Sequence, residues 1–210
     1  SNLKVFISSN TPSKALCDFP CTSRCSLLRG LMHITEIETL LTVGSHSLYF
    51  DEILDTVSYL CLHGNSTNQL YAMQSLEVWI ARLHDLLRRN QLSETLVHQI
   101  KASFVRSRLA LITRVLCTSW AHPARQVSHI VPAIYETLIK TLMLLHPHEM
   151  EATAGATSIW SEILVEASRM PSFHRGKYQA MKILMESIGV DFFLSLQPNI
   201  ISELVQAMKD

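Results

Sequence analysis

Apolar residues recur at intervals of three and four along most of this chain, and little interrupts them. Between 126 and 145, Val127, Ile130, Val131, Ile134, Leu138, Leu142 and Leu145 share one face of a helix. Val97, Ile100, Phe104, Leu111, Ile112 and Val115 mark a second such face over 94–117. Leu70, Met73, Leu76, Ile80, Leu83 and Leu87 mark a third over 68–89. The same pattern predicts helices over 22–42, 47–62, 156–169, 173–188 and 199–209. Only residues 3–7 alternate as a strand would, and that run is short and terminal.

Turn chemistry is too scarce for anything but long helices. The chain has six glycines and seven prolines in 210 residues, whereas an all-β fold needs a turn about every 8–12 residues. The breaks that do occur fall between the periodic runs, at Gly44-Ser45, His63-Gly64-Asn65-Ser66, His122-Pro123 and His146-Pro147. Ser93 and Ser172 stand where N-caps belong. Pro132 falls inside a periodic run, which predicts a kink or a helix that restarts there.

The fold class expected is therefore all-α. Helix pairs follow one another at about 40 residues, a period close to that of HEAT or armadillo repeats. Trp79, Trp120 and Trp160, spaced by 41 and 40 residues, echo it. The expected architecture is an α-solenoid of such helix pairs over residues 22–210, after an irregular N-terminal segment over 1–21.

The motifs of common chemistries are missing. There is no apolar run of about 18 residues to cross a bilayer, and residues 1–19 lack the basic start and apolar centre of a signal peptide. Cys17, Cys21 and Cys25 form a C-x3-C-x3-C run, but metal sites favour C-x2-C. On one helical stripe these cysteines read as small apolar residues, and all five in the chain as reduced thiols of a cytoplasmic protein. His146-Pro147-His148-Glu149 is the densest histidine cluster, and it suits a helix C-terminus better than a metal. No phosphate loop, nucleophile elbow or dinucleotide fingerprint occurs. The expectation is a non-enzyme without cofactor or metal.

Charge is balanced overall and uneven locally. Residues 31–60 carry five acids (Glu36, Glu38, Asp51, Glu52, Asp55) and no Lys or Arg. Residues 82–125 carry eight basic residues against Asp85 and Glu94, a surplus of six. Among them, Arg82, Arg88, Arg89, Lys101, Arg106 and Arg114 are candidates for contact with RNA phosphates or a protein partner. The first three are expected to end one helix, and the others to lie on its antiparallel neighbour. Arg108 falls on the apolar side of its helix and is expected to form an ion pair between repeats. Residues 169–186 hold a smaller surplus, in which Arg175 and Lys177 are the further candidates.

Two stretches resemble the THADA family of tRNA ribose-methyltransferase regulators. Trp120-Ala121-His122-Pro123, before an amphipathic helix bearing Tyr135 and Leu138, is similar to that family's Trp-x-His-Pro junction. Phe173-His174-Arg175-Gly176-Lys177-Tyr178, followed by Glu186-Ser187-Ile188-Gly189, is similar to its (Trp/Phe)-His-x-Gly-Lys-Tyr run and the Glu-x-(Ile/Leu)-Gly beyond. The resemblance is firmest over 110–210. The family's Arg-Arg-Ser-Ala-Gly-(Leu/Ile)-Pro stretch is absent here, and Pro132 stands where the family's helix runs unbroken. Family members are much longer, so the resemblance implies one segment of a large helical-repeat protein. It also implies a partner, a SAM-dependent 2′-O-ribose methyltransferase acting in the tRNA anticodon loop, with tRNA as a further partner and no membrane. Trp120, Gly176 and Tyr178 are expected to serve packing. The competing expectation is a protein-interaction HEAT scaffold with no role in nucleic-acid binding.

Overall fold

The computed structural model describes residues 48–63, 65–150, 158–172 and 174–207. Among them are α1 (Leu48–His63), α2 (Ser66–Arg88), α3 (Glu94–Ser103), α4 (Arg106–Ser119), α5 (Arg125–Leu145), α6 (Ile159–Ser168), α7 (Arg175–Ile188), α8 (Val190–Leu196) and α9 (Ile200–Ala207). A 3-10 turn spans Pro147–Met150, and no strand occurs among the described residues. The helix expected over 22–42, the alternating run at 3–7, the irregular segment 1–21 and the three N-terminal cysteines lie outside the described residues.

Local chemistry sets the helix ends. Asn65 starts α2 by accepting from the Asn68 amide at 2.9 Å, and Ser93 starts α3 by accepting from the Leu96 amide at 3.3 Å. Ser158 does the same for α6, where it accepts from the Ser161 amide at 3.2 Å. Ser172 is not the cap of α7. His174 takes that position, and its Nδ1 accepts from the Gly176 amide at 3.2 Å. His146 ends α5, its amide bonded to the Leu142 carbonyl at 2.8 Å. Gly189, at φ 87°, ends α7 and opens α8, a conformation that side chains resist.

Two interruptions differ from the sequence expectation. The run over 94–117 is two helices, parted at Phe104 and Val105. The Arg108 guanidinium bonds the Ser103 carbonyl, and Ser103 Oγ bonds the Gln99 carbonyl at 3.1 Å. These bonds occupy carbonyls at the end of α3, while Phe104 turns into the core. At Pro132 the helix does not restart, because α5 spans it from Arg125 to Leu145. Ser128 and Pro132 are both only half-buried, so the missing bond falls on the less buried side of the helix.

The helices pack as successive hairpins, α1 on α2, α4 on α5 and α6 on α7. Neighbouring hairpins stack in two rows. In one row α4 lies between α1 and α6; in the other α5 lies between α2 and α7. Three side-chain bonds between one hairpin and the next have similar sequence lags, 53 residues for Asp55–Arg108, 53 for Gln69–His122 and 52 for Arg114–Glu166, whereas Trp120–Gln179 spans 59. The matching lags of Asp55–Arg108 and Arg114–Glu166 set α1, α4 and α6 side by side at nearly equal steps. The step is longer than the expected 40 because α3 and the segment after α5 add length. The tryptophans do not mark it. Trp79 lies in α2, Trp120 caps α4 and Trp160 opens α6, three inequivalent places.

One apolar core runs between the rows. Trp79, Tyr135 and Trp160 are its largest fully buried side chains, each removing roughly 150–250 Å² from water. Cys61 and Cys117 lie within it as free thiols. Burial pushes the Cys117 thiol up to about 12, with the Glu166 carboxylate adding to the effect, and burial raises Cys61 further. Neither thiol is poised as a nucleophile. No described helix is long and apolar enough to cross a membrane.

Candidate nucleic-acid and partner surface

The seven candidate cations with described side chains occupy three kinds of place. Arg82, Arg88 and Arg89 stand exposed on the last turns of α2, where cations complement the helix dipole. Asp85 pairs with Arg89 at 2.9 Å and more loosely with Arg82 at 3.7 Å. Arg88 has no carboxylate partner among the described residues. Lys140 of α5 joins this patch from the neighbouring hairpin, itself bonded to Glu136 at 2.5 Å. Between them sits His84. Its imidazole is held below the ordinary histidine range by desolvation first, then by Arg88 and Lys140, with Asp85 opposing.

Lys101 and Arg106 are elsewhere. Lys101 is half-buried in the last turn of α3, and Arg106 stands exposed at the first residue of α4. The antiparallel pair expected to join them to Arg82, Arg88 and Arg89 does not form. The helix bearing Arg106 and Arg114 packs in the row of α1 and α6, and α2 packs in the other row.

Arg114 is engaged in an ion pair between hairpins and Lys177 is buried. Arg114 grips the buried Glu166 of α6 through two bonds of 3.0 Å, and Arg169 bonds the same carboxylate. The hydrogen bond to Glu166, then its charge, raises the Arg114 pKa. Lys177, a further candidate, is only 8 % accessible. Arg175 opens α7, and its side chain lies outside those described.

Arg108 meets its expectation. Its guanidinium spans from α4 to Asp55 of α1, with bonds of 2.8 and 3.2 Å. Together the Asp55–Arg108 and Arg114–Glu166 pairs tie α1, α4 and α6 side by side.

The residues singled out between α4 and α5 form a joint among all three hairpins. His122 Nδ1 accepts from the Ala124 amide at 3.1 Å, which leaves Nε2–H to donate to Gln69 Oε1 of α2 at 2.6 Å. Trp120 reaches the opposite way. Its Nε1–H donates to Gln179 Oε1 of α7 at 2.7 Å, and its ring meets Tyr135 edge-on at 5.6 Å. A Cβ on Gly176 would lie 2.5 Å from Trp120 Cγ, so only glycine lets α7 approach so closely. Trp120 and Gly176 therefore serve packing, as expected. Tyr178 is partly buried against the core.

Comparison of the chain with protein-family models, curated proteins and solved structures gives no match.

Sequence reasoning missed Glu166, Lys140 and the glutamines Gln69 and Gln179. Glu166 had a signal, because it follows Ile163 by three residues on the stripe that Ala167 and Met170 continue. Lys140 had none, since only the lateral stacking of α5 on α2 brings it near His84. Among the described residues, no three His, Cys, Asp or Glu side chains gather as metal ligands do.

Proposed function

We propose that this chain is a non-catalytic scaffold segment of a THADA-type helical-repeat protein, an α-solenoid of HEAT or armadillo character acting in the cytoplasm. On this reading it supports a SAM-dependent 2′-O-ribose methyltransferase that modifies the tRNA anticodon loop. The enzyme supplies the chemistry, and the scaffold holds enzyme and tRNA in register. What carries the reading is the meeting of the two family-like stretches. Trp120 and Gly176, far apart in sequence, touch at one joint, and Gln179 bonds the Trp120 indole. A resemblance confined to residues that fix how hairpins stack suits a protein whose work is positioning. The stack of hairpins suits it too, since such rows leave long faces open to partners.

The proposed RNA-facing patch is the α2–α5 end, with Arg88, Arg89 and Lys140. Arg114 and Lys177 are set aside, one committed to Glu166 and the other buried. The test is tRNA binding across a salt series by the protein bearing Arg88→Gln, Arg89→Gln and Lys140→Gln. Removing one phosphate-binding cation should flatten the dependence of log affinity on log salt by about 0.7–0.9. The triple variant should bind more weakly with a shallower slope, whereas Arg114→Gln should leave the slope alone. Equal affinity and slope in a folded triple variant would favour the protein-interaction scaffold instead.

A further inference from the structure

His84 stands within the α2–α5 patch without a bond that settles its charge. Its Nδ1 is buried and has no hydrogen-bond partner among the described residues, so no contact of that nitrogen holds the ring neutral or charged. The charges around it decide instead. Arg88 follows His84 by four residues on α2, one turn on along the same face. Lys140 approaches from α5, and both cations act against a charged ring, as desolvation does. Asp85 opposes them, but its carboxylate is shared between Arg82 and Arg89. The other helix packed closely on α2 is α1. Of its acids only Asp55 has a described side chain, and Asp55 is bonded to Arg108.

A phosphate group seated between Arg88 and Lys140 would reverse that balance. Lys140 gives one N–H to Glu136 and keeps two more to donate. The anion would offset both cations and so remove the repulsion that keeps His84 neutral. A ring that then takes up a proton adds a third positive charge beside the same anion. Such coupling is reciprocal, so an anion that favours the charged ring is itself bound more tightly when the ring is charged. Affinity therefore rises as pH falls through the His84 pKa of the complex, and levels off below the lower pKa of the free protein.

We propose that binding of a phosphate group at the α2–α5 end is coupled to proton uptake by His84. The proposal rests on reading that end as the phosphate-facing surface, and it adds a dependence on pH. The test follows the His84 imidazole by NMR across pH, with and without sulfate, at an ionic strength held constant with chloride. Sulfate stands in for a phosphodiester because neither titrates near neutral pH. Sulfate should move the His84 titration upward by about half a pH unit or more, as a nearby opposite charge does. With Arg88→Gln and Lys140→Gln together, the sulfate-free titration should already lie higher, and sulfate should no longer move it. In a second arm, tRNA affinity should rise roughly threefold to tenfold between about pH 7.5 and 6, since one linked proton gives at most about tenfold per pH unit. His84→Gln should lose that gain. A His84 titration indifferent to sulfate would overturn the inference, even with tRNA bound at the patch. So would an equal gain in His84→Gln. If sulfate moves His84 while tRNA does not bind, the proton-coupled anion site stands and the RNA reading falls.

Discussion

Gly176 shows how one atom sets the spacing of two helices. In most helix positions Ala is favoured over Gly by about 0.5–1 kcal/mol. Here the added methyl would lie 2.5 Å from the Trp120 ring, which is itself fixed by Gln179 and Tyr135. The clash outweighs the helix preference. Gly176→Ala is expected to destabilise the protein by about 1–2 kcal/mol, within the range for overpacked cores, measured by urea unfolding. His84 acts through charge. Desolvation and the cations Arg88 and Lys140 lower its pKa in the folded protein below the ordinary 6.5. The unfolded chain therefore takes up its proton first as pH falls. The stability that neutral His84 contributes is complete above the unfolded pKa and is lost as pH falls through it towards the lower folded value. Unfolding at pH 7.5 and at about pH 5.5 should show a smaller acid loss in His84→Gln than in the natural chain.

At the scale of elements, α5 tolerates an internal proline. Pro132 removes one backbone bond inside a 21-residue helix, yet the helix continues because α2 and α7 hold it on either side. Proline costs about 3 kcal/mol against alanine in a helix interior, and part of that is returned through a stiffer unfolded chain. Pro132→Ala is expected to stabilise the protein by about 1–2 kcal/mol, read as a higher urea midpoint with unchanged slope. This helix also shows what periodicity can and cannot reveal. The stripe from Val127 to Leu145 located α5 almost to the residue, since burial on one face is written in the order of side chains. Its continuity through Pro132 was not legible, because it depends on helices far away in sequence. The break at Phe104 was hidden for the same reason. Phe104 fits the apolar stripe either way, and the Arg108–Ser103 bond found at the end of α3 is not written in that stripe.

At the scale of the whole molecule, the described residues form two rows of helices held by the ion pairs of α1, α4 and α6 and by the Trp120–His122 joint. The all-helical class was legible from periodicity and scarce turn residues. The length of the step was not, because the tryptophans that suggested it occupy inequivalent positions. The candidate surface was legible only in part. Composition located the basic segment, but a charge count says nothing of which cation a buried carboxylate will claim, and Glu166 claims Arg114 and Arg169. What remains exposed at the α2–α5 end is the surface proposed to face tRNA. The central claim is that the protein serves a tRNA 2′-O-methyltransferase without performing chemistry itself. The direct measurement is to recover the tagged protein with its bound partners and supply SAM carrying a labelled methyl group together with unmodified tRNA. The mapped product should carry the label on a ribose 2′-oxygen of the anticodon loop. The protein stripped of partners should transfer none, and adding them back should restore the reaction. Absence of methyl transfer from the recovered complex, or transfer by the stripped protein alone, would contradict the account.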